Sequence, residues 1–276
     1  MGNKPISKYN IDFIPEVIIK KYSSKYDKEF TKFETEYNFF QYLDIKDFQQ
    51  LLYNFTCTEQ EKIEKRNKEY NFEVSETMFS VFVSKKIINH FLIYPHIAND
   101  EKKINVVKAF LNNVFTILRK NTSQYNKLNG KKTENKTIKK LCLLSYGFVF
   151  CKEDHFNKIQ FLFYLLSDED EMLKFSDDLI EFLFFVFLIP SNVLIFSIYS
   201  LGKEFEEFAI EDEYFAEIYN ACELKDAKFL AKKVVEELFK EKSQLDFDDF
   251  YKKIILEDWV FSTHGIRKKL EDNNQD

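Results

Sequence analysis

Glycine and proline are scarce, with only 5 and 4 among 276 residues. Sheet-rich folds with tight turns use more of both, as do loops that cradle phosphates, so helices joined by polar loops are expected. The cysteines Cys57, Cys142, Cys151 and Cys222 show no paired spacing. That argues against a disulfide framework and for reduced thiols in a cytoplasmic protein. No secretory signal precedes the first charged residues, so the N-x-S/T triplets at Asn54, Asn121 and Asn135 are not read as glycosylation acceptors. The chain lacks a glycine-rich phosphate loop and an H-E-x-x-H pair. It also lacks a basic surplus, since net charge is -6. Its aromatics lie in apolar periodic runs rather than beside positive charge, so a stacking platform for nucleic acid is not expected.

Aromatics are present in excess, with 32 Phe and 15 Tyr but a single Trp. The densest apolar stretch runs from Phe156 to Leu201. It reads FNKIQFLFYLL, an acidic SDEDEMLKFSDDL, then IEFLFFVFLIP and SNVLIFSIYSL. The core is expected here. Leu179 to Ile189 is apolar on every side, which predicts a fully buried helix. Residues 179–201 have the length of a membrane span, but Glu181 sits near one end and Pro190-Ser191-Asn192 divides the run. A buried helical hairpin is therefore expected.

Helical spacing also marks Ile11 to Phe33, the stretch after Asp44 with Phe48, Leu51, Leu52 and Phe55 on one face, and the stretch after Ser75 with Met78 and Phe79. Ile104 to Leu118 and Ala227 to Phe239 are further amphipathic helices, and Asp154 or Asn157 is placed to cap a helix over Phe156–Leu166. Arg119 to Lys140 carries eight basic residues against Glu134, with Asn129-Gly130 as a breaker, and reads as a mobile basic loop. The expected organisation is an N-terminal lobe over 1–118, a basic linker over 119–140, a C-terminal lobe over 141–270 and a frayed tail over 271–276.

Three segments share one grammar: Leu43-Asp-Ile-Lys-Asp-Phe48, Phe175-Ser-Asp-Asp-Leu-Ile180 and Leu245-Asp-Phe-Asp-Asp-Phe250. Each has an apolar residue, a capping residue, acids and an apolar helix start. This resembles the second half of an EF-hand. The start MGNKPISKY resembles an N-myristoylation signal at Gly2. The layout is similar to the calcineurin B and neuronal calcium sensor superfamily, and the closing IILEDWVFSTH resembles the segment after the EF-hand-like region of some TLDc-domain proteins. The resemblance implies an all-α fold of two lobes built from EF-hand-like helix pairs, with the apolar loop residues paired in small sheets.

The loops are degenerate as calcium sites. Calcium needs oxygen ligands at loop positions one, three and five, Gly at six and a bidentate Glu at twelve. Counting back from Phe250 puts Asp249 at twelve but Ser243, Lys242 and Lys240 at six, five and three. In the middle unit Asp168 and Asp170 are candidate ligands, yet Leu173 falls at six and Leu179 at twelve. No cofactor and no physiological calcium site is expected; any weak binding falls at Asp168–Glu171. Cys151 and His155 supply two ligands where structural zinc wants four, and His90, His96 and His264 stand apart.

The expectation is therefore not an enzyme but a calcium-independent adaptor or regulatory subunit. It would hold a partner helix or domain in an apolar groove, with Trp259, Phe261, Phe184 and Phe187 as partner-binding candidates. Membrane association would come through an acylated Gly2 with a second, basic signal. The alternative is a structural component of a large cytoskeletal or ciliary assembly. Cytoplasmic localisation is expected under both readings.

Overall fold

The computed structural model describes residues 27–32, 39–56, 73–82, 88–93, 99–130, 137–189, 192, 194–205, 224–257 and 265–266. These residues are mostly helical. The first half holds α1 (Asp27–Lys32), α2 (Ile45–Thr56), β1 (Glu73–Ser75), α3 (Glu76–Phe82), α4 (Ile88–Phe91) and the long α5 (Glu101–Leu128). Next come β2 (Thr137–Lys139), α6 (Lys140–Phe150), α7 (His155–Leu166), β3 (Leu173–Lys174), α8 (Asp177–Leu188) and α9 (Leu194–Phe205). The last elements are α10 (Leu224–Leu238), β4 (Gln244–Leu245) and α11 (Phe247–Ile254).

The strands are short and form two antiparallel pairs, β1 with β2 and β3 with β4. Val74 faces Ile138 in one pair and Leu173 faces Leu245 in the other, and all four side chains are fully buried. Each strand is followed by a helix after at most two intervening residues, and each is preceded in the chain by another helix.

The helix starts follow the capping chemistry of the three repeated segments. Asp44 accepts the backbone N–H of Asp47 at 2.7 Å, Ser176 that of Leu179 at 3.3 Å, and Asp246 that of Asp249 at 2.8 Å. Ser75 and Asp154 cap α3 and α7 in the same way. A side-chain oxygen at each start satisfies a donor that the helix itself leaves unpaired. The paired residue in the middle unit is Leu173, two positions before the expected Phe175, which is half exposed.

Helix α8 is the centre of the core. Every side chain from Leu179 to Ile189 is buried, and α6 and α10 pack along it. A helix with no polar face needs partners on every side, and α8 has them. This corrects the assignment of Phe184 and Phe187 to a partner surface. Both are fully buried, Phe184 against Tyr125 at 5.0 Å between ring centroids. Buried aromatics of this size contribute about 1.5–3 kcal/mol each to the fold. Among the described residues no helix is long and apolar enough to cross a membrane.

Arg119 to Leu128 is not a loop. It continues α5 to its end, and Thr137–Lys139 is strand β2. The segment is also less solvated than its charge suggests. Asn121, Thr122, Tyr125 and Asn126 are buried, and Lys139 turns inward to Glu181 of α8. The Lys139 Nζ lies 2.7 and 2.8 Å from the two Glu181 carboxylate oxygens and 4.9 Å from the Tyr125 ring centroid. The basic run fails as a loop signal because most of it continues the helix and one of its lysines, Lys139, meets a carboxylate across the core.

Candidate functional site

The β3–β4 pair is where the resemblance placed metal chemistry. The turn from Ser167 to Met172 is held by Asp168, whose Oδ1 accepts the backbone N–H groups of Asp170 (3.1 Å) and Met172 (2.9 Å). Its other oxygen, Oδ2, is 2.6 Å from the Lys174 ammonium. Glu171 completes the turn at φ 56°, in the left-handed region. The facing loop uses the same device: Asp249, in the first turn of α11, is paired with Lys242. Lys253 reaches back to the Leu238 carbonyl at 2.9 Å.

Each loop thus brings its own cation to its acid. Hydrogen bonding from Lys174 holds the Asp168 carboxyl below the usual range, and Lys242 does the same to Asp249. Reciprocally, Asp168 and Asp249 raise the two lysines. Both Asp168 oxygens are thus engaged, by the backbone of its own turn and by Lys174. Among the described residues no three His, Cys, Asp or Glu side chains converge to hold a metal ion. Cys151 is buried while His155 is exposed. Burial pushes the thiols of Cys142 and Cys151 up, away from the reactive thiolate.

The sign of these shifts fixes a pH dependence. The depressed acids contribute stability above the ordinary carboxylate pKa, which is lost as pH falls through their folded values. The raised lysines contribute stability below the ordinary lysine pKa, lost as pH rises through theirs. The Lys174→Ala/Lys242→Ala variant is expected to show flatter acid and alkaline limbs than the parent in urea midpoints measured across pH. Calcium and chelator should leave the parent midpoint where it is. Profiles of identical shape, or a calcium-dependent midpoint, would show that the lysines do not take the cation's place.

Beside the loop pair lies an exposed aromatic face. α7 packs on α11, and Phe156 and Tyr164 stand on its outer side, 47% and 45% exposed. Phe247 of α11 lies nearly parallel to Tyr164 (10°, 6.1 Å) and edge-on to Phe156 (5.8 Å). Tyr251 closes on Phe156 at 5.7 Å. Phe156, Gln160 and Tyr164 recur every four residues, so they form one stripe on α7. The chain matches no protein-family model, no curated protein and no solved structure.

Of the residues singled out from sequence, Gly2, Trp259 and Phe261 lie outside the described residues. So do Cys57, Cys222, His96 and His264. In the sequence Lys242 figures only as a break in the calcium pattern and Lys174 has no role, although both stand within a turn or two of loop acids. The outer stripe of α7 is not singled out there either, because the stripe sits within a run that is apolar on the inner side too.

Proposed function

We propose that the chain is a calcium-independent adaptor or regulatory subunit of EF-hand-like type, which binds a protein partner through an apolar surface. The observation that carries this reading is the pairing of loop acids with lysines of their own loops, Asp168 with Lys174 and Asp249 with Lys242. A loop pair that supplies its own counter-charges needs no calcium to bring its strands together. Supporting it, each strand pair joins two segments in which a strand leads into a helix, as paired EF-hands do. With Phe184 and Phe187 buried, the binding surface is reassigned to the exposed aromatic face of α7 and α11. Acylation at Gly2 would add a membrane tether, which needs a second signal to hold.

A second reading, a structural component of a large cytoskeletal or ciliary assembly, draws on the scatter of other exposed apolar side chains. Ile93, Phe175, Phe229 and Leu256 are exposed; single exposed apolar side chains are ordinary on a protein surface, so they weigh less than the contiguous aromatic face of α7 and α11.

The test is affinity purification of the native protein from its own cells, with and without a calcium chelator, followed by mass spectrometry. One stoichiometric partner that stays bound in chelator is expected. A partner released by chelator overturns the calcium-independent reading. Recovery only within an insoluble assembly selects the structural component, and no partner at all removes the adaptor.

A further inference from the structure

The aromatic face of α7 and α11 has an acidic surround. Asp154 is exposed at the start of α7, and Glu169, Asp170 and Glu171 are exposed in the turn just past Tyr164. Asp248 is exposed beside Phe247. Opposing cations are mostly committed. Lys174 and Lys242 are taken by loop acids, and Lys253 by the Leu238 carbonyl, which leaves the exposed Lys152 just before α7 and Lys252 beside Asp248 against these five acids. Half-exposed rings surrounded by carboxylates favour an apolar side chain and a cation together, since Lys and Arg are attracted both to the acids and to the ring faces.

We infer that this face docks a basic amphipathic helix of a partner, laid along the Phe156–Gln160–Tyr164 stripe. The inference rests on the adaptor reading and specifies its ligand. From Phe156 to Tyr164 the stripe runs about 12 Å along the helix, which accepts roughly two turns of a partner helix. Leucine-like anchors of the partner rest on Phe156, Tyr164, Phe247 and Tyr251, while its lysines and arginines reach Asp154, Asp248 and the Glu169–Glu171 turn.

The full chain is titrated against a labelled amphipathic peptide of leucine and lysine, about four turns long, and against the same peptide with glutamate for lysine. The lysine peptide is expected to bind and the glutamate peptide not, with affinity falling as salt is raised. Tyr164→Ser and Phe156→Ser, whose side chains are half exposed, should each weaken binding by about tenfold or more at unchanged circular dichroism. Equal binding of both peptides, no binding of either, or full binding by both variants overturns the inference. So does concentration-dependent self-association that Tyr164→Ser abolishes, because the occupant is then a second copy. Purification of the Tyr164→Ser variant from cells separates the two levels. A partner retained by the variant places the adaptor's surface elsewhere, whereas no partner on the unsubstituted protein removes the adaptor itself.

Discussion

Glu181→Leu, with Lys139 left in place, is expected to destabilise the protein by about 3–5 kcal/mol, and Lys139→Met with Glu181 left in place by about as much. Each change strands one charge among side chains that leave Lys139 only 9% and Glu181 only 7% exposed. Thr122 accepts the Lys139 backbone N–H, so the strand end is held in place and the ammonium has little freedom to swing out to water. The double variant removes both charges and should be close to the parent, or up to about 4 kcal/mol more stable. Urea unfolding of the four proteins gives the coupling, and additive losses in the double variant would refute a paired role.

The same pair has a pH signature. Burial holds the Glu181 carboxyl above its ordinary range, with Lys139 acting in the opposite direction. A raised acid binds its proton more tightly when folded, so its contribution to stability falls as pH rises through the interval between the two values. Without the Lys139 ammonium that interval widens. Lys139→Met should therefore approach the parent's stability at acid pH, where Glu181 is neutral, and fall behind it as pH rises. A deficit independent of pH would mean that lost packing, not the stranded carboxylate, causes the effect.

Gly147→Ala is expected to destabilise as well, although alanine is the better helix former by about 1 kcal/mol. A Cβ at position 147 of α6 would lie closer than 3.0 Å to two carbons of the Phe48 ring. That ring is fully buried and packs edge-on to Phe40 at 5.8 Å, so it cannot move aside into solvent. Overpacking of this kind costs about 1–3 kcal/mol and exceeds the propensity gain; valine should cost more. Phe48→Leu in the Gly147→Ala background should recover part of the loss, because the shorter side chain clears the new methyl. Thermal unfolding of the three variants decides it. A stabilised Gly147→Ala protein would show that Phe48 can move aside.

Much of this fold was legible because short-range chemistry dictates it. Caps at Asp44, Ser75, Asp154, Ser176 and Asp246 are set by one side chain and the next backbone donors, and all five form. The burial of α8 follows from a run with no polar face. What could not be read is which partner a polar residue meets across the core. Lys139 and Glu181 are 42 positions apart, and nothing local to either says that they pair. Taken alone, the basic run therefore reads as a loop. The Phe184 and Phe187 assignment failed for a related reason. Abundance of phenylalanine shows that a surface must be covered, but not whether a partner or the chain's own helices cover it. The lysines at the loop acids were close enough in sequence to be found by asking what neutralises each acid.

The strand pairs join segments that are made at very different times. β1 waits for β2 until all of α5 has been synthesised, and β3 waits for β4 until α8, α9 and α10 have followed it. On the ribosome, the chain's most apolar helix emerges directly after β3, while both the strand that pairs with β3 and the helix α10 that covers α8 are still to come. Contacts this distant along the chain form slowly and leave sticky surface open in the interval. The nascent chain is thus most vulnerable to aggregation between the emergence of Leu188 and that of Leu245, a window in which a chaperone would find an uncovered phenylalanine-rich helix to hold.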